Sequence, residues 1–423
     1  MKNQPAWWNC DFKYNFFNAA GFVSDWENYV LQMASGKTKN KNQESALQQL
    51  SDQSKNLWKS FTTDRSELDR DYMSTEKFFA AYLASFLIPN IERTRHIFNH
   101  PRNESFMRSL CDKDEITILD FGSGPLSSSL GFVIALEQAV HRSGKPSRLI
   151  KLKIIAAERS EKAVQVASQW LKKNLLNSVE CEVNRVTSVP KDTVFDVILA
   201  SNVINEIPKK HQLTTIKNLL SCFHENTNQQ KSQLLVVEPA QEDFARGLSA
   251  LRDDIVRSPE LSHIKIEAPC LHHLDCPLSA KMNRRDWCWS KVQFDRPPFL
   301  AELDRRTDID HSVLAYSYLL LSNSTKGTAT KAKAISVSDE MLLAGDEGKA
   351  ARFQYFKSNQ HKNSNSTDKT IEKLSESCSK LKLCTIDGEL LAGLRPTAHG
   401  HEPMKRGSLI ESFEGFESVV LER

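Results

Sequence analysis

Two stretches of this 423-residue chain carry residue types and spacings that could do chemistry. The first, ITILDFGSGPLSSSLG (116–131), reads as a buried strand, a glycine-bearing turn and an apolar helix. A turn between the carboxyl end of a strand and the amino end of a helix lets backbone N–H groups and the helix dipole face a nucleotide-like ligand. Gly122 and Gly124 supply tight backbone free of side chains, Ser123 lies between them and Asp120 closes the strand. Leu126 stands where such loops usually carry one more glycine. The next strong strand, KLKIIAAE, ends at Glu158, a carboxylate suited to accept both ribose hydroxyls of a nucleoside. VFDVILASN ends at Asn202, which the strand would place on the same sheet edge as the loop.

The second stretch is APCLHHLDCPLSAKMNRRDWCWSKVQF, in which Cys270, Cys276 and Cys288 fall within 19 residues of a chain that has nine cysteines in all. In a reducing compartment such a cluster points to metal before disulfide. Pro269 and Pro277 discourage helix, so the chain can loop around one centre. Three thiolates leave a tetrahedral zinc or a four-iron cluster one ligand short. His272, His273 or a distant cysteine could complete it. Cys384, in LKLCTIDGEL, is attractive because binding there would seat a module with little core of its own. The bland alternative is a loop whose thiols are buried among Trp287, Trp289 and Phe294. Cys10, Cys111, Cys181, Cys222 and Cys378 read as incidental thiols.

The elements that must position these residues follow from periodicity. Residues 40–110 carry apolar residues at three- and four-residue spacing and read as helical, so 1–110 is taken as a helical N-terminal module. From Ile116 the pattern becomes strand–helix alternation, with strands at ITILDF, KLKIIAAE, VECEVNRV, VFDVILASN, SQLLVVEP and HIKIEAP. Helices are expected over Leu126–His141, Ser160–Lys173, Lys209–Phe223 and Gln241–Val256. Apolar runs buried on both faces, with helices between, predict an α/β, doubly wound, mainly parallel sheet over 111–322. SVLAYSYLLLS (312–322) reads as a late strand closing the sheet edge, and 269–308 as a Cys-rich, metal-binding insertion. Residues 323–369 read as linker and low-complexity sequence, and 370–423 as a small C-terminal β-element with a turn at Asp387-Gly388.

The bulk composition, 40% hydrophobic and 26% charged, is that of globular material. No apolar run reaches membrane-span length, and the first residues lack the order of a signal or transit peptide, so the chain is read as cytoplasmic with no membrane partner. A net charge of +3 permits nucleic-acid binding without announcing it. Cations near the cysteine loop, in KMNRRDW (281–287), DRRTD (304–308) and KGTATKAKA, are candidate phosphate contacts, with Arg284 and Arg285 as the test site.

The layout of glycine loop, acid after the second strand and polar tip after the fourth resembles class I S-adenosylmethionine-dependent methyltransferases. In their acid-x-G-x-G-x-G loop Asp120, Gly122 and Gly124 match and Leu126 does not, so a leucine is expected to narrow the pocket. Taken in order, DFGSGP, SNVINEI, VVEPAQEDFARGLSALRDDI, APCLHHLDCPL, DWCWSKVQF and LCTIDGEL resemble the methyltransferase-like family of small-ribosomal-subunit assembly proteins, over roughly residues 70–400. That resemblance implies S-adenosylmethionine bound by Asp120, Gly122, Ser123, Gly124, Glu158 and Asn202. It further implies a four-iron, four-sulfur cluster on Cys270, Cys276, Cys288 and Cys384, and small-subunit ribosomal RNA as partner. Leu271 and Trp289 depart from the family's usual proline and histidine, and the thiols are intact. No catalytic residue is assigned. A non-catalytic assembly scaffold and a zinc-stabilised methyltransferase with a non-ribosomal substrate are the alternatives.

Overall fold

The structure is a computed structural model. It describes residues 8, 17–35, 43–62, 73, 75–143, 150–175, 179–225, 231–270, 272–279 and 287–323, and the backbone of the strands beyond. Helices come first: α1 (Ala19–Ser35), α2 (Gln43–Thr62), α3 (Glu76–Tyr82), α4 (Ile88–Phe98) and α5 (Glu104–Leu110). A π-helical turn, Leu83–Leu87, joins α3 to α4 directly before Pro89. A proline has no N–H to return to the preceding turn, and helices distort where that bond is missing. The continuous rod sets Tyr82, Phe86, Asn90 and Arg93 at helical spacing, and all four face one cavity.

Then β1 (Glu115–Phe121), α6 (Ser127–Ser143), β2 (Ile150–Ala157), α7 (Glu161–Asn174), β3 (Val179–Val186), β4 (Val197–Ser201), α8 (Lys209–Leu220), β5 (Gln233–Glu238) and α9 (Glu242–Arg257) alternate as the sequence pattern predicts. Local signals set the helix ends. Ser160 caps α7 by accepting from the Ala163 N–H at 3.3 Å, Glu161 opens its first turn, and Lys172 and Lys173 close its last. The five strands are parallel in the order β3-β2-β1-β4-β5, so the order reverses between β1 and β4. Strand residues alternate between two cores. Val197 and Leu199 pack with the N-terminal helices, α6 and α7, while Ile198 and Ala200 pack with α8 and α9.

After β6 (Lys265–Ala268), the described part of the stretch without periodicity holds a short 3-10 turn (Pro277–Ser279), β7 (Ser290–Gln293) and α10 (Pro298–Thr307), which precede β8 (Val313–Ser322). β8 is not the edge strand expected: it runs antiparallel between β5 and β6 and also pairs with β7. Its side chains from Tyr316 onward are all buried, as an interior strand with both faces covered requires.

The N-terminal helices share one core with the sheet. Fully buried Trp26 donates from Nε1 to the Leu83 carbonyl at 2.8 Å and meets Phe299 of α10 edge-on at 5.1 Å. DRRTD belongs to this seam. Arg306 pairs with Glu302 at 2.7 Å and with Glu44 of α2 at 2.8 Å, and Arg305 pairs with Glu302, so both cations have carboxylate partners. Arg284, Arg285 and KGTATKAKA lie outside the described residues, and β9 (Ile335–Asp339) follows them in the chain.

A second sheet contains β9, β10 (Gln354–Tyr355), β11 (Cys378–Thr385), β12 (Leu390–Pro396), β13 (Leu409–Ile410) and β14 (Ser418–Leu421), antiparallel in the order β10-β14-β12-β11-β9-β13. β9 and β10 fall in the stretch read as linker. Their polarity hides strands that non-local pairing to β11 and β14 defines. The Asp387-Gly388 turn lies outside the described residues. Among the described residues, no helix is long and apolar enough to cross a membrane.

Candidate functional site

At the reversal of strand order, a cavity of about 910 Å³ opens at the carboxyl ends of β1, β2, β4 and β5. Crevices at such points are where open α/β sheets bind ligands, because the flanking loops splay to opposite faces. Gly122, Gly124, Glu158 and Asn202 line it, together with Thr187 and Ser188 beyond β3. Gly122 and Gly124 have φ of +67° and +48°. A Cβ on Gly122 would come within 2.5 Å of a Val203 methyl carbon, so only glycine lets the two loops meet there. Asn202 has a φ of +55°, tolerated by its short polar side chain, and its N–H donates to the Val237 carbonyl at 2.7 Å.

Glu158 joins the strand tip to the glycine loop. Its Oε2 accepts from the Gly124 N–H at 2.9 Å and its Oε1 from the Ser160 N–H at 2.8 Å. Glu238, buried at the tip of β5, accepts from the N–H groups of Ile204 at 3.0 Å and Asn205 at 3.2 Å, which holds the SNVINEI turn against the sheet. Glu158, Glu206, Glu238 and Asp310 give the cavity wall four carboxylates against Arg93 and Arg159. Such a wall suits a cationic ligand group.

Two of the expected ligand residues sit elsewhere. Asp120 and Ser123 are buried and outside the cavity wall. Asp120 Oδ2 accepts from Ser129 Oγ at 2.6 Å and from the Ser129 N–H at 3.2 Å, so the carboxyl braces the first turn of α6 beneath the loop. Burial lifts its pKa from 3.8 to about 7, against the pull of the Ser129 bonds. A folded-state pKa raised above the unfolded one stabilises the fold below about pH 4, and that contribution is lost as pH rises through 7. Wild-type protein is therefore expected to lose roughly 1.4 kcal/mol per pH unit from this group between pH 5 and 7. Urea unfolding across that range should show the slope, and Asp120→Asn should remove it. Equal slopes in both proteins would refute the assignment.

Leu126 also differs from expectation. It holds a φ of +56°, the conformation that explains the usual glycine, yet its side chain is fully buried in the core and is not part of the cavity wall. The pocket is not narrowed by it.

The cysteines lie at the far end of the sheet, around α9. Buried Arg252 donates to Asp253 Oδ1 at 2.7 Å, to the His272 carbonyl at 2.7 Å and to the Leu274 carbonyl, while the Cys276 N–H donates to Asp253 Oδ1 at 2.9 Å. Arg102 donates to the carbonyls of Pro269 and Cys270 at 3.1 and 3.3 Å. Burial pushes the Cys270 thiol up to about 11, against the pull of Arg252, and the Cys276 sulfur adds to the rise. Tyr318 lies in the field of both Cys270 and Cys288. The donor chemistry, thiols beside the buried Arg252 and the half-buried Arg102 guanidiniums, suits an anionic metal–thiolate centre. Among the described residues, however, no group of three or more histidine, cysteine or acidic side chains is placed to hold a metal ion. Cys384 belongs to β11, and its side chain lies outside the described residues. His272 is no free fourth ligand at Nδ1, which accepts from the Leu274 N–H at 3.2 Å, and burial drops its pKa to about 4.

Residues 112–255 match a methyltransferase-domain family. The fold is class I methyltransferase-like. No curated protein matches the chain. Among solved structures it is similar to magnesium protoporphyrin IX methyltransferase of Synechocystis, at 13% identity and a TM-score of 0.34, over 61% of this chain and 99% of that one. It is also similar to precorrin-6y C5,15-methyltransferase of Geobacter metallireducens, at 9% identity and a TM-score of 0.28, over 53% and 87%.

Sequence reasoning missed the other half of the cavity wall. Trp58 and Phe61 of α2, Tyr82, Phe86 and Arg93, and His311 with Leu314 come from segments distant in the chain. Trp58 and Phe86 stack with ring centroids 5.6 Å apart and planes 10° from parallel, and Phe61 meets Phe86 edge-on at 5.2 Å. The only advance signal was the helical spacing of aromatic residues, which reads equally well as core.

Proposed function

We propose that the cavity binds S-adenosylmethionine, and that the protein acts on or binds small-subunit ribosomal RNA during ribosome assembly with a four-iron, four-sulfur cluster on Cys270, Cys276, Cys288 and Cys384. The observation that carries the cofactor reading is the join between Glu158 and the Gly124 N–H at the point of strand reversal. A carboxylate accepts at several lone-pair positions, so Glu158 can hold the loop and still receive ribose hydroxyls. Gly122 and Gly124 present backbone with no side chain in the way, Thr187 and Ser188 offer hydroxyls beyond β3, and the carboxylate-rich wall suits a sulfonium. When bound, S-adenosylmethionine supplies an electrophilic methyl group. The ribosomal and cluster parts of the reading are supported by the ordered motifs from DFGSGP to LCTIDGEL, and the cluster part also by the Arg252 and Arg102 guanidiniums around Cys270 and Cys276.

Calorimetry with S-adenosylmethionine tests the cofactor reading. Binding is expected, and Glu158→Ala should weaken it by about 1–2 kcal/mol, the scale of a charged hydrogen bond. Heat-silent titration of wild-type protein would leave only the assembly scaffold. Protein purified without oxygen should be brown and carry iron and sulfide in equal amounts. A colourless zinc protein would remove the cluster, and failure to enrich small-subunit RNA from lysate would remove the ribosomal partner.

A further inference from the structure

The cavity contains an imidazole with an unexplained nitrogen. His311 is 3% exposed and lines the cavity where β8 begins. Its Nδ1 lies 2.6 Å from Asp304 Oδ1, and its backbone N–H donates to Asp304 Oδ2 at 2.9 Å. Arg296 fixes the same carboxylate at 2.7 Å. A carboxylate at Nδ1 places the ring proton there and leaves the Nε2 lone pair open. Nε2 is buried and has no hydrogen-bond partner among the described residues. A buried polar atom without a partner costs about 1–3 kcal/mol, so it calls for a group that completes it.

The surroundings say which kind of group. Trp58 meets the imidazole edge-on at 5.5 Å and stacks on Phe86, so the wall beside the imidazole is a half-buried aromatic surface. Flat aromatic faces bind flat rings, and base–aromatic stacking contributes about 1–3 kcal/mol per base. An open Nε2 lone pair accepts from an N–H donor.

We infer that His311, oriented by Asp304, is the hydrogen-bond anchor and proton acceptor for a planar, N–H-bearing heteroaromatic ring of the nucleobase class, extruded from its stack into this cavity. The inference rests on the S-adenosylmethionine reading above. As the ring nitrogen bonds to the methyl carbon, the electron pair of the breaking carbon–sulfur bond stays on sulfur and the nitrogen's proton passes to Nε2. Asp304 holds the resulting imidazolium until it releases the proton to water. The cavity's carboxylates keep the RNA phosphates outside, so only the base enters.

The test starts with S-adenosylhomocysteine and wild-type protein. If that does not bind, the underlying reading fails. If it binds, adenosine, guanosine, cytidine and uridine are each added at millimolar concentration, and the ring nitrogens of 15N-labelled histidine are followed by NMR. At least one nucleoside is expected to shift the His311 Nε2 signal and to bind ten or more times more weakly to Trp58→Leu protein. With that nucleoside, or an RNA carrying it, as acceptor, His311→Ala is expected to lower turnover about 10²–10⁴-fold, with partial rescue by added imidazole. No shift at Nε2 with any nucleoside, no transfer by wild-type protein, or equal turnover in His311→Ala each overturns the inference while leaving the cofactor reading standing. The NMR arm uses wild-type protein, so a variant that fails to fold does not remove the test.

Discussion

Gly122→Val is expected to weaken S-adenosylmethionine binding at least thirtyfold, about 2 kcal/mol, and to destabilise the fold by about 2–6 kcal/mol. Two effects add. A β-branched residue is forced to a φ of +67°, and strain of that kind costs about 1–3 kcal/mol. Its side chain also drives into Val203, where even a Cβ would stand 2.5 Å from a methyl carbon, and overpacking costs about 1–3 kcal/mol. Either the glycine loop or the SNVINEI turn must retreat, and both line the cavity. Gly247, in the middle of α9, is the matched control. Nothing lies within 4 Å of its missing Cβ, so Gly247→Ala should leave binding alone and add about 0.5–1 kcal/mol of stability. Calorimetry and urea unfolding read both variants. Unchanged binding in Gly122→Val would mean that the ligand does not sit on this loop.

Arg252→Met is expected to cost about 3–5 kcal/mol of stability, the scale of breaking a buried pair from one side. The side chains of Arg252 and Asp253 are 3% and 6% exposed. Removing the guanidinium leaves the Asp253 carboxylate buried without its cation, and it leaves the carbonyls of His272 and Leu274 without their donor. Those carbonyls belong to the cysteine-bearing segment, so the loss should also free Cys270 and Cys276 from α9 and raise their reactivity toward a thiol reagent. Adding Asp253→Asn to Arg252→Met should recover part of the loss, because the unpaired charge goes with it. Strictly additive costs in the double variant would show that the two side chains do not act as a pair.

How far the sequence can be read shows in particular elements. The strand from Ile116 and the helix after Ser127 are local facts of apolar run length and glycine position, and they come out as expected. Glu158 and Asn202 reach the cavity wall because each directly follows a strand, and parallel strands of one sheet bring their carboxyl ends to one edge. Asp120 lies one residue before the end of β1, and the period of two turns its carboxyl under the loop toward Ser129 rather than into the cavity. Leu126 shows the same limit. Its identity departs from the glycine pattern, yet the direction of its side chain depends on a backbone conformation that no spacing reveals.

The local pattern of types by itself determined the alternating α/β plan, the glycine loop, the acid after the second strand and the clustering of three thiols within one short stretch. Tertiary structure alone decided that β8 lies inside the sheet, that Arg306 turns to Glu44, and that Trp58, Phe86 and His311 gather around one cavity. The physical reason is range. Periodicity and turn chemistry act over a few residues, whereas strand order and the facing of helices are set by burial between segments that can lie more than two hundred positions apart, as α2 and β8 do.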